Sequence, residues 1–213
     1  MSSAIGVIDY GMGNLHSLGK ALERVAGSTR VVISYEPDEL LKCDRLVLPG
    51  VGGVLACMNE LKRLELNELV LEAARKLPML GICLGMQVML EFSDENGGVP
   101  ALGLFPGKVV RFPDPPDDPA YPRLKVPHMG WNRVKQARKH ALWKDVPDES
   151  WFYFVHSYHA APSEPAHVLG TADYVTTFPA AIARDNIAAF QFHPEKSQHA
   201  GMALLSNFVS WNP

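Results

Sequence analysis

The chain has 213 residues, of which 47% are hydrophobic and 20% charged, and its formal net charge is −3. This composition excludes a disordered chain and also a nucleic-acid-binding protein that works through positive charge alone. The length suits a single α/β domain with its own hydrophobic core.

Cysteine content and charge placement indicate the expected compartment. Cys43, Cys57 and Cys83 are too few and too scattered for a disulfide framework or a zinc site, which favours the reducing cytoplasm. The longest stretch without a charged residue, 197–213, is too polar to span a membrane. Asp9 precedes the first basic residue, which is the reverse of a secretory signal.

Apolar runs alternate with helical periodicity in the N-terminal half. The pattern predicts strands at 4–8, 30–34, 45–48 and 79–82, and helices at 15–25, 55–76 and 84–92. Unbroken apolar strands that alternate with helices indicate a mainly parallel sheet with helices on both faces.

The C-terminal half is richer in strands. The pattern predicts strands at 107–112, 127–134, 151–158, 168–176, 180–184 and 187–192, and a helix at 200–209. Six prolines in the segment 113–127 predict a stiff, exposed loop, which is also a candidate domain boundary. The simplest architecture is one α/β domain over residues 1–213 with extra antiparallel strands.

Cys83 lies within Gly81-Ile82-Cys83-Leu84-Gly85, between a predicted strand and a predicted helix. Glycines on both sides allow the sharp turn of a nucleophile elbow, and the N-terminus of the following helix favours a thiolate. A buried, inert cysteine is the alternative, and it is the preferred interpretation of Cys43 and Cys57.

His193-Pro194-Glu195 is the second chemical motif. Proline biases His193 toward an extended conformation, in which residues two apart face the same way. Glu195 can then orient the imidazole, and together with Cys83 these residues would form a thiol triad. A simple turn is the alternative for this motif in isolation.

The loop after the third predicted strand, Leu48-Pro49-Gly50-Val51-Gly52-Gly53, exposes backbone N–H groups at the same edge of the sheet. The N–H groups of Gly50, Val51 and Gly52 are candidates for an oxyanion hole. A tight turn between strand and helix is the alternative. No Gly-Lys-Ser/Thr follows, so the loop is not a phosphate loop.

Two further clusters are weaker candidates. His156 and His159 are three residues apart on one predicted strand and should face opposite ways, which argues against a metal site. Trp131 is expected in the core more readily than at an interface.

Six sequence strings carry a family resemblance. They are GICLGMQ at 81–87, QFHPEKS at 191–197, YGMGNL at 10–15, PGVG at 49–52, PHMGWN at 127–132 and YFVHSY at 153–158. The first two resemble the class I, triad-type glutamine amidotransferases. The other four narrow the resemblance to the glutaminase subunits of imidazole glycerol phosphate synthases, in one register from about residue 4 to residue 209.

The resemblance implies the flavodoxin-like fold of that family and a set of catalytic roles. Cys83 would be the nucleophile, His193 the base and then the acid, and Glu195 the orienting carboxylate. The N–H of Leu84 and one N–H from the loop 50–52 would form the oxyanion hole. Neither a cofactor nor a metal ion is implied.

It also implies a substrate and a binding site for it. Gln87 and Glu95 match positions that hold the head group of glutamine, and the backbone of Ser157 and Tyr158 matches positions on its carboxylate. Glutamine would give glutamate and ammonia through a thioester on the cysteine.

A partner follows from the same resemblance. Ammonia would pass to a (β/α)₈-barrel cyclase subunit, in a heterodimer that makes imidazole glycerol phosphate and AICAR for histidine biosynthesis. Asn14, Trp131 and Lys196 match positions that face this partner, and no nucleic acid or membrane is implied. The alternatives are another amidotransferase or a Cys-His hydrolase of γ-glutamyl bonds, and a non-catalytic binding module.

Overall fold

A computed structural model describes residues 3–115 and 124–213. Within these residues the strands are β1 Ala4–Ile8, β2 Arg30–Ser34, β3 Arg45–Leu48, β4 Met79–Ile82, β5 Leu90–Ser93, β6 Val99–Pro100, β7 Phe105–Arg111, β8 His128–Gln136, β9 Ser150–His156, β10 Tyr158–Pro162, β11 Val168–Asp173, β12 Thr177–Arg184 and β13 Ile187–Phe190. The helices are α1 Leu15–Ala26, α2 Pro37–Leu40, α3 Val54–Arg63, α4 Leu66–Ala73, α5 Leu84–Val88 and α6 Gln198–Ser210.

The large sheet has the strand order β2-β1-β3-β4-β13-β12-β11-β8-β9. Its first five strands run parallel, and the remaining pairs are antiparallel. The predicted fold class is therefore confirmed. The sequence did not predict that β10, β7, β5 and β6 form a separate sheet of their own.

Both faces of the parallel strands are covered. Ile5 and Val7 on β1 belong to the hydrophobic cluster that contains Leu22 of α1 and Phe208 of α6. Ile8 belongs to the cluster on the other face, where α3, α4 and α5 pack. Because β1, β3 and β4 run parallel, their carboxyl ends lie at one edge of the sheet, between these two clusters.

The predicted single helix at 55–76 is wrong, because the structure divides it into α3 and α4. Glu65 between them adopts a left-handed conformation with φ 57°, which redirects the chain. The apolar period continues across the break because Leu61 and Leu69 are buried in the same cluster. The hydrophobic periodicity alone therefore could not predict the break between α3 and α4.

The predicted helix at 84–92 is also too long. It ends at Val88, and the chain continues as β5, whose Leu90 pairs in parallel with Phe105 of β7. Pairing with a distant strand overrides the local helical pattern here. The predicted strand at 151–158 is likewise interrupted at Ser157, where the chain leaves β9 of the large sheet and enters β10 of the small one.

The other predicted elements are present, with ends displaced by up to three residues, and α2 and β6 were not predicted. The predicted proline-rich loop at 113–127 falls partly on residues 116–123, which lie outside the described residues. None of the helices in the described part of the chain has the length and apolar character needed to span a bilayer.

Candidate active site

Cys83 lies at the turn between β4 and α5, where the elbow motif predicted it. Its φ of 55° and ψ of −108° are unusual for a residue with a side chain. Its N–H donates to the carbonyl oxygen of Phe190, at 2.7 Å. A Cβ atom on Gly85 would overlap the carbonyl oxygen of Leu48, so glycine is required for α5 to begin against the end of β3.

His193 and Glu195 form a buried pair beside the elbow. Nδ1 of His193 lies 2.8 Å from Oε1 of Glu195, and each side chain is only 3% exposed. The expected extended conformation is wrong beyond His193, because Pro194–Lys196 forms a short 3₁₀ turn. The turn brings the carboxylate back to the imidazole, so the pairing itself occurs as predicted.

The protonation of His193 reflects its two polar neighbours. Burial by itself lowers the pKa of His193, but its interactions with the Cys83 sulfur and the Glu195 carboxylate outweigh burial and raise that pKa to about 9. Nε2 of His193 is buried and has no partner of hydrogen-bond geometry among the described residues. The geometry thus provides an oriented imidazole that can exchange a proton through Nε2.

The loop after β3 packs against the start of α5. A Cβ atom on Gly50 would lie 2.9 Å from Cβ of Leu84, the residue after Cys83. The hydroxyl of Tyr10, whose role the sequence did not reveal, donates to the carbonyl oxygen of Pro49 at 2.7 Å. Because Leu84 is the first residue of α5, its N–H has no intrahelical acceptor. The structure therefore brings both predicted oxyanion elements together.

A cavity of about 300 Å³ opens beside Cys83. It is lined by most of the predicted substrate and oxyanion residues, namely Val51, Gly52, Leu84, Gln87, Glu95, Ser157 and Tyr158, together with Pro127, Val155 and His156. Oε2 of Glu95 accepts a hydrogen bond from the N–H of Val54 at 2.7 Å, which holds this carboxylate at the start of α3.

Hydrogen bonds within the protein limit what the other lining groups can offer a ligand. Nε2 of Gln87 donates to the carbonyl oxygen of Tyr158 at 2.9 Å and to Oε1 of Gln191 at 3.1 Å, so its Oε1 is the atom left for a ligand. The carbonyl oxygen of Ser157 accepts from the N–H of Phe112 at 3.0 Å. A carboxylate ligand would have to bind N–H groups at this segment.

Gln191 is a site residue that the sequence motifs did not reveal. It is fully buried, and its Nε2 lies 3.8 Å from Sγ of Cys83. Gln191 stands two residues before His193 in the same motif, but its role depends on contacts with the distant residues Gln87 and Cys83.

The expectation that His156 and His159 face opposite ways is wrong. Both imidazole rings pack against Phe112, with centroid distances of 5.1 and 4.7 Å, and both contact Phe178. The strand break at Ser157 produces this arrangement. In residues 3–115 and 124–213 there is no group of three or more His, Cys, Asp or Glu side chains that could hold a metal ion.

The expectation that Trp131 is a core residue is also wrong, because its side chain is 43% exposed. Its ring lies 6.1 Å from that of Tyr153, and Nζ of Lys196 lies 5.5 Å from the centroid of the same Tyr153 ring. We call Trp131, Tyr153 and Lys196 the Tyr153 patch. Exposed Asn14 caps α1 by accepting from the N–H of Ser17 at 3.3 Å.

Asn14 also lines a small cavity together with His193 and Glu195. The His193–Glu195 pair, the elbow and the surface around them thus occupy one edge of the sheet. The sequence model of the family "Glutamine amidotransferase class-I" matches residues 6–211. The chain belongs to the class I glutamine amidotransferase family. The family and the enzyme class predicted from the sequence motifs are therefore confirmed.

Individual relatives of this glutamine amidotransferase are similar over their full length. An imidazole glycerol phosphate synthase subunit HisH from Methylococcus capsulatus is 54% identical over 212 residues, which cover 99% of this chain and 98% of that protein. A subunit HisH 1 from Pseudomonas aeruginosa is 50% identical, with 100% and 99% covered. One chain in the structure of PurLQS from Thermotoga maritima has a TM-score of 0.68 at 13% identity, with 99% and 98% covered, and shows a common fold.

Proposed function

We propose that this amidotransferase is the glutaminase subunit of an imidazole glycerol phosphate synthase. It hydrolyses glutamine to glutamate and ammonia and delivers the ammonia to a (β/α)₈-barrel cyclase subunit. The observation that carries the proposal is the buried His193–Glu195 pair, 2.8 Å apart, beside Cys83 at the elbow. The HisH subunits that share about half of its residues over their full length support the specific assignment.

The chemistry begins with the Cys83 thiolate, which attacks the side-chain amide carbon of glutamine. Negative charge then develops on the amide oxygen, within reach of the Leu84 N–H and of one N–H from the loop 50–52. His193 protonates the departing nitrogen through Nε2, ammonia leaves, and a thioester remains. Glu195 holds Nδ1 and stabilises the imidazolium that precedes this proton transfer.

Hydrolysis of the thioester reverses these roles. His193, now neutral, takes a proton from a water molecule as that water attacks the thioester carbon. The same N–H groups stabilise the second oxyanion, and its collapse releases glutamate and restores the thiolate. Over the cycle His193 gives one proton to the departing nitrogen and regains one from water, and the proton of the new carboxylic acid leaves to solvent.

The cavity beside Cys83 offers complementary groups to free glutamine. In this proposal the Glu95 carboxylate binds the α-ammonium group, Oε1 of Gln87 offers a further acceptor, and the N–H groups of Ser157 and Tyr158 bind the α-carboxylate. A cavity of about 300 Å³ has room for an amino acid of this size.

The partner side of the proposal uses Asn14, Trp131 and Lys196. All three are at least partly exposed, and Asn14 lies beside the catalytic pair. We propose that the cyclase subunit docks over them and completes a heterodimer. We also propose that residues 1–213 are one domain, because the large sheet takes strands from both sides of the proline-rich segment.

The test is a glutaminase assay on the full chain with and without a barrel-type cyclase and its nucleotide substrate. We expect glutamate release to rise when both are present, and imidazole glycerol phosphate to form in step with it. Equal release with and without the cyclase would favour another amidotransferase or a γ-glutamyl hydrolase. If a glutamine-like electrophile fails to label Cys83 covalently, that result would favour a non-catalytic module.

A further inference from the structure

A buried amide contacts the sulfur of the nucleophile. Nε2 of Gln191 lies 3.8 Å from Sγ of Cys83, and Gln191 is 0% exposed. The amide reaches Cys83 because the Cys83 N–H donates to the carbonyl oxygen of Phe190, which ties the elbow to the end of β13 immediately before Gln191. A buried N–H needs an acceptor, and the sulfur is the acceptor available on this side.

The hydrogen bonds of Gln87 decide which end of the Gln191 amide faces the sulfur. The carbonyl oxygen of Tyr158 can only accept, so the atom of Gln87 that lies 2.9 Å from it is the amide nitrogen. The second proton of that nitrogen points to the side-chain oxygen of Gln191, at 3.1 Å. A flipped Gln191 would set two donors against each other, so its nitrogen faces Cys83.

Two hydrogen-bonded histidines, His156 and His128, provide a second donor to the same carbonyl oxygen of Tyr158. Nδ1 of His156 lies 2.8 Å from the Tyr158 oxygen and therefore carries a proton. Burial lowers the pKa of His156 to about 3, so the ring is neutral and its Nε2 accepts from Nδ1 of His128, at 3.0 Å. Burial also lowers the pKa of His128 to about 4, and Asn132 Nδ2 lies 3.4 Å from its Nε2. The three hydrogen bonds that lead from Asn132 through His128 and His156 to the Tyr158 oxygen therefore all donate in the same direction.

We propose that Gln191 is a further catalytic residue, which donates a hydrogen bond to the Cys83 sulfur and stabilises its thiolate, and that Gln87 holds it in this orientation. A thiol is a weak acceptor whereas a thiolate is a strong one, so a fixed N–H donor favours the charged form. The inference rests on the proposed function, since it assigns Cys83 as the nucleophile. Gln87 then acts as a positioning residue as well as a lining residue of the substrate cavity.

The test compares two substitutions of Gln191 with a matched control. Gln191→Met keeps the shape and removes the donor, whereas Gln191→Glu keeps the acceptor for Gln87 and loses the donor. The control is Gln136→Met, which removes an amide whose Nε2 donates to the carbonyl oxygen of Val146, at 2.8 Å. The rate of Cys83 alkylation by iodoacetamide is measured against pH on the full chain, with the modified cysteine identified by peptide mass mapping.

We expect the pH of half-maximal alkylation to rise by about one unit in Gln191→Met and by more in Gln191→Glu, and to stay unchanged in Gln136→Met. With glutamine and the cyclase, kcat/KM should fall roughly tenfold for Gln191→Met. A merely structural role would lower thermal stability without moving the alkylation profile. If Gln191→Met does not fold, Gln191→Leu, which also removes the donor without adding a charge, takes its place.

An alkylation profile of folded Gln191→Met or Gln191→Leu that coincides with that of the parent overturns the proposal. Alkylation requires neither glutamine nor a cyclase, so its outcome is independent of the proposed function. A parent protein that fails to hydrolyse glutamine would contradict the function while the profiles still report on Gln191.

Discussion

The carbonyl oxygen of Tyr153 accepts a hydrogen bond from the backbone N–H of His193, at 2.9 Å. The ring of the same tyrosine contacts Trp131 and Lys196 on the protein surface. The N–H of Tyr153 is also fixed, since it donates to Oγ of Ser197 at 3.0 Å. A partner that binds the Tyr153 patch would therefore contact the residue of β9 that is hydrogen-bonded to the backbone of His193, the proposed catalytic base.

Cys83→Ala should abolish glutamine hydrolysis, with a loss on the order of 10³-fold or more, because no other nucleophile lies at the elbow. The complex with the cyclase should still make imidazole glycerol phosphate from added ammonium salt, because that step belongs to the partner. Both rates are measured on the same preparation. Glutamine-dependent synthesis near the parent rate would refute the assignment.

The matched control for that variant is Cys43→Ala. Cys43 is buried in the hydrophobic cluster on one face of the sheet and is not among the residues that line the cavity, so turnover per folded molecule should stay at the parent value. Thermal unfolding separates any loss of stability in this variant from a loss of chemistry.

His193→Ala should be as damaging to turnover as the loss of the thiol, because the two groups act as a unit. Glu195→Gln should cost roughly 10- to 100-fold less, because the carboxylate orients and stabilises the imidazole without exchanging its proton. Steady-state kcat values for the two variants, each saturated with cyclase, make the comparison. Equal losses would assign Glu195 a larger role than orientation.

The protonation of His193 gives a prediction with a definite sign. Its pKa is raised from 6.5 to about 9 in the folded protein, so the folded state binds this proton more tightly than the unfolded chain. The resulting stability is fully present below about pH 6.5 and is lost as the pH rises through about 9. Unfolding free energies of the parent and of His193→Ala, measured from about pH 6 to about pH 10, should therefore converge toward the alkaline end.

Cys83→Ala tests the cause of that raised pKa. The substitution removes one of the two interactions that raise the pKa of His193 and leaves burial, which lowers it, in place. An NMR titration of the His193 ring should therefore give a lower value than in the parent. His128 serves as the internal control, since burial alone sets its pKa of about 4. An unchanged or higher value for His193 would contradict the interaction with the thiol.

The sequence was sufficient to predict those elements and site residues that are determined by neighbouring residues in the chain. Glycines around Cys83 require a sharp turn, and the spacing of His193 and Glu195 lets the pair meet through either an extended chain or the 3₁₀ turn that the structure contains. The parallel strands were also predictable, because each is a short apolar run and several are buried on both faces.

The rest depended on contacts between distant parts of the chain. Leu90 belongs to a strand only because Phe105 pairs with it, and Gln191 becomes a site residue only because Gln87 and Cys83 converge on it. Trp131 resembles a core residue by type, yet β8 and β9 leave its face of the sheet partly uncovered. No local pattern encodes these contacts.

The last prediction concerns the proposed cyclase-binding surface. Affinity for the cyclase and activation by the cyclase should depend on different residues of this surface. Lys196→Ala and Asn14→Ala should lower the plateau of cyclase-stimulated glutaminase activity, because Lys196 ends the 3₁₀ turn that carries Glu195 and Asn14 lines the small cavity beside His193 and Glu195. Trp131→Ala should mainly move the midpoint of the titration, because an exposed aromatic that becomes buried contributes to affinity, here about 2 kcal/mol.

Each variant is titrated with the cyclase, and the plateau and midpoint are read separately. Asn14→Ser is the companion of Asn14→Ala, since serine retains a cap for α1 while it removes the amide, so a plateau lowered in both cannot come from fraying of the helix.

Lys76→Ala is the control for Lys196→Ala. Lys76 is an exposed cation paired with Glu72 at 2.6 Å, and it precedes β4 at the edge of the sheet opposite the elbow. Its plateau and midpoint should match those of the parent. Parent plateaus in both the Lys196 and Asn14 variants would refute the coupling between the proposed cyclase-binding surface and the catalytic pair, while the glutaminase assignment would stand on the Cys83 result.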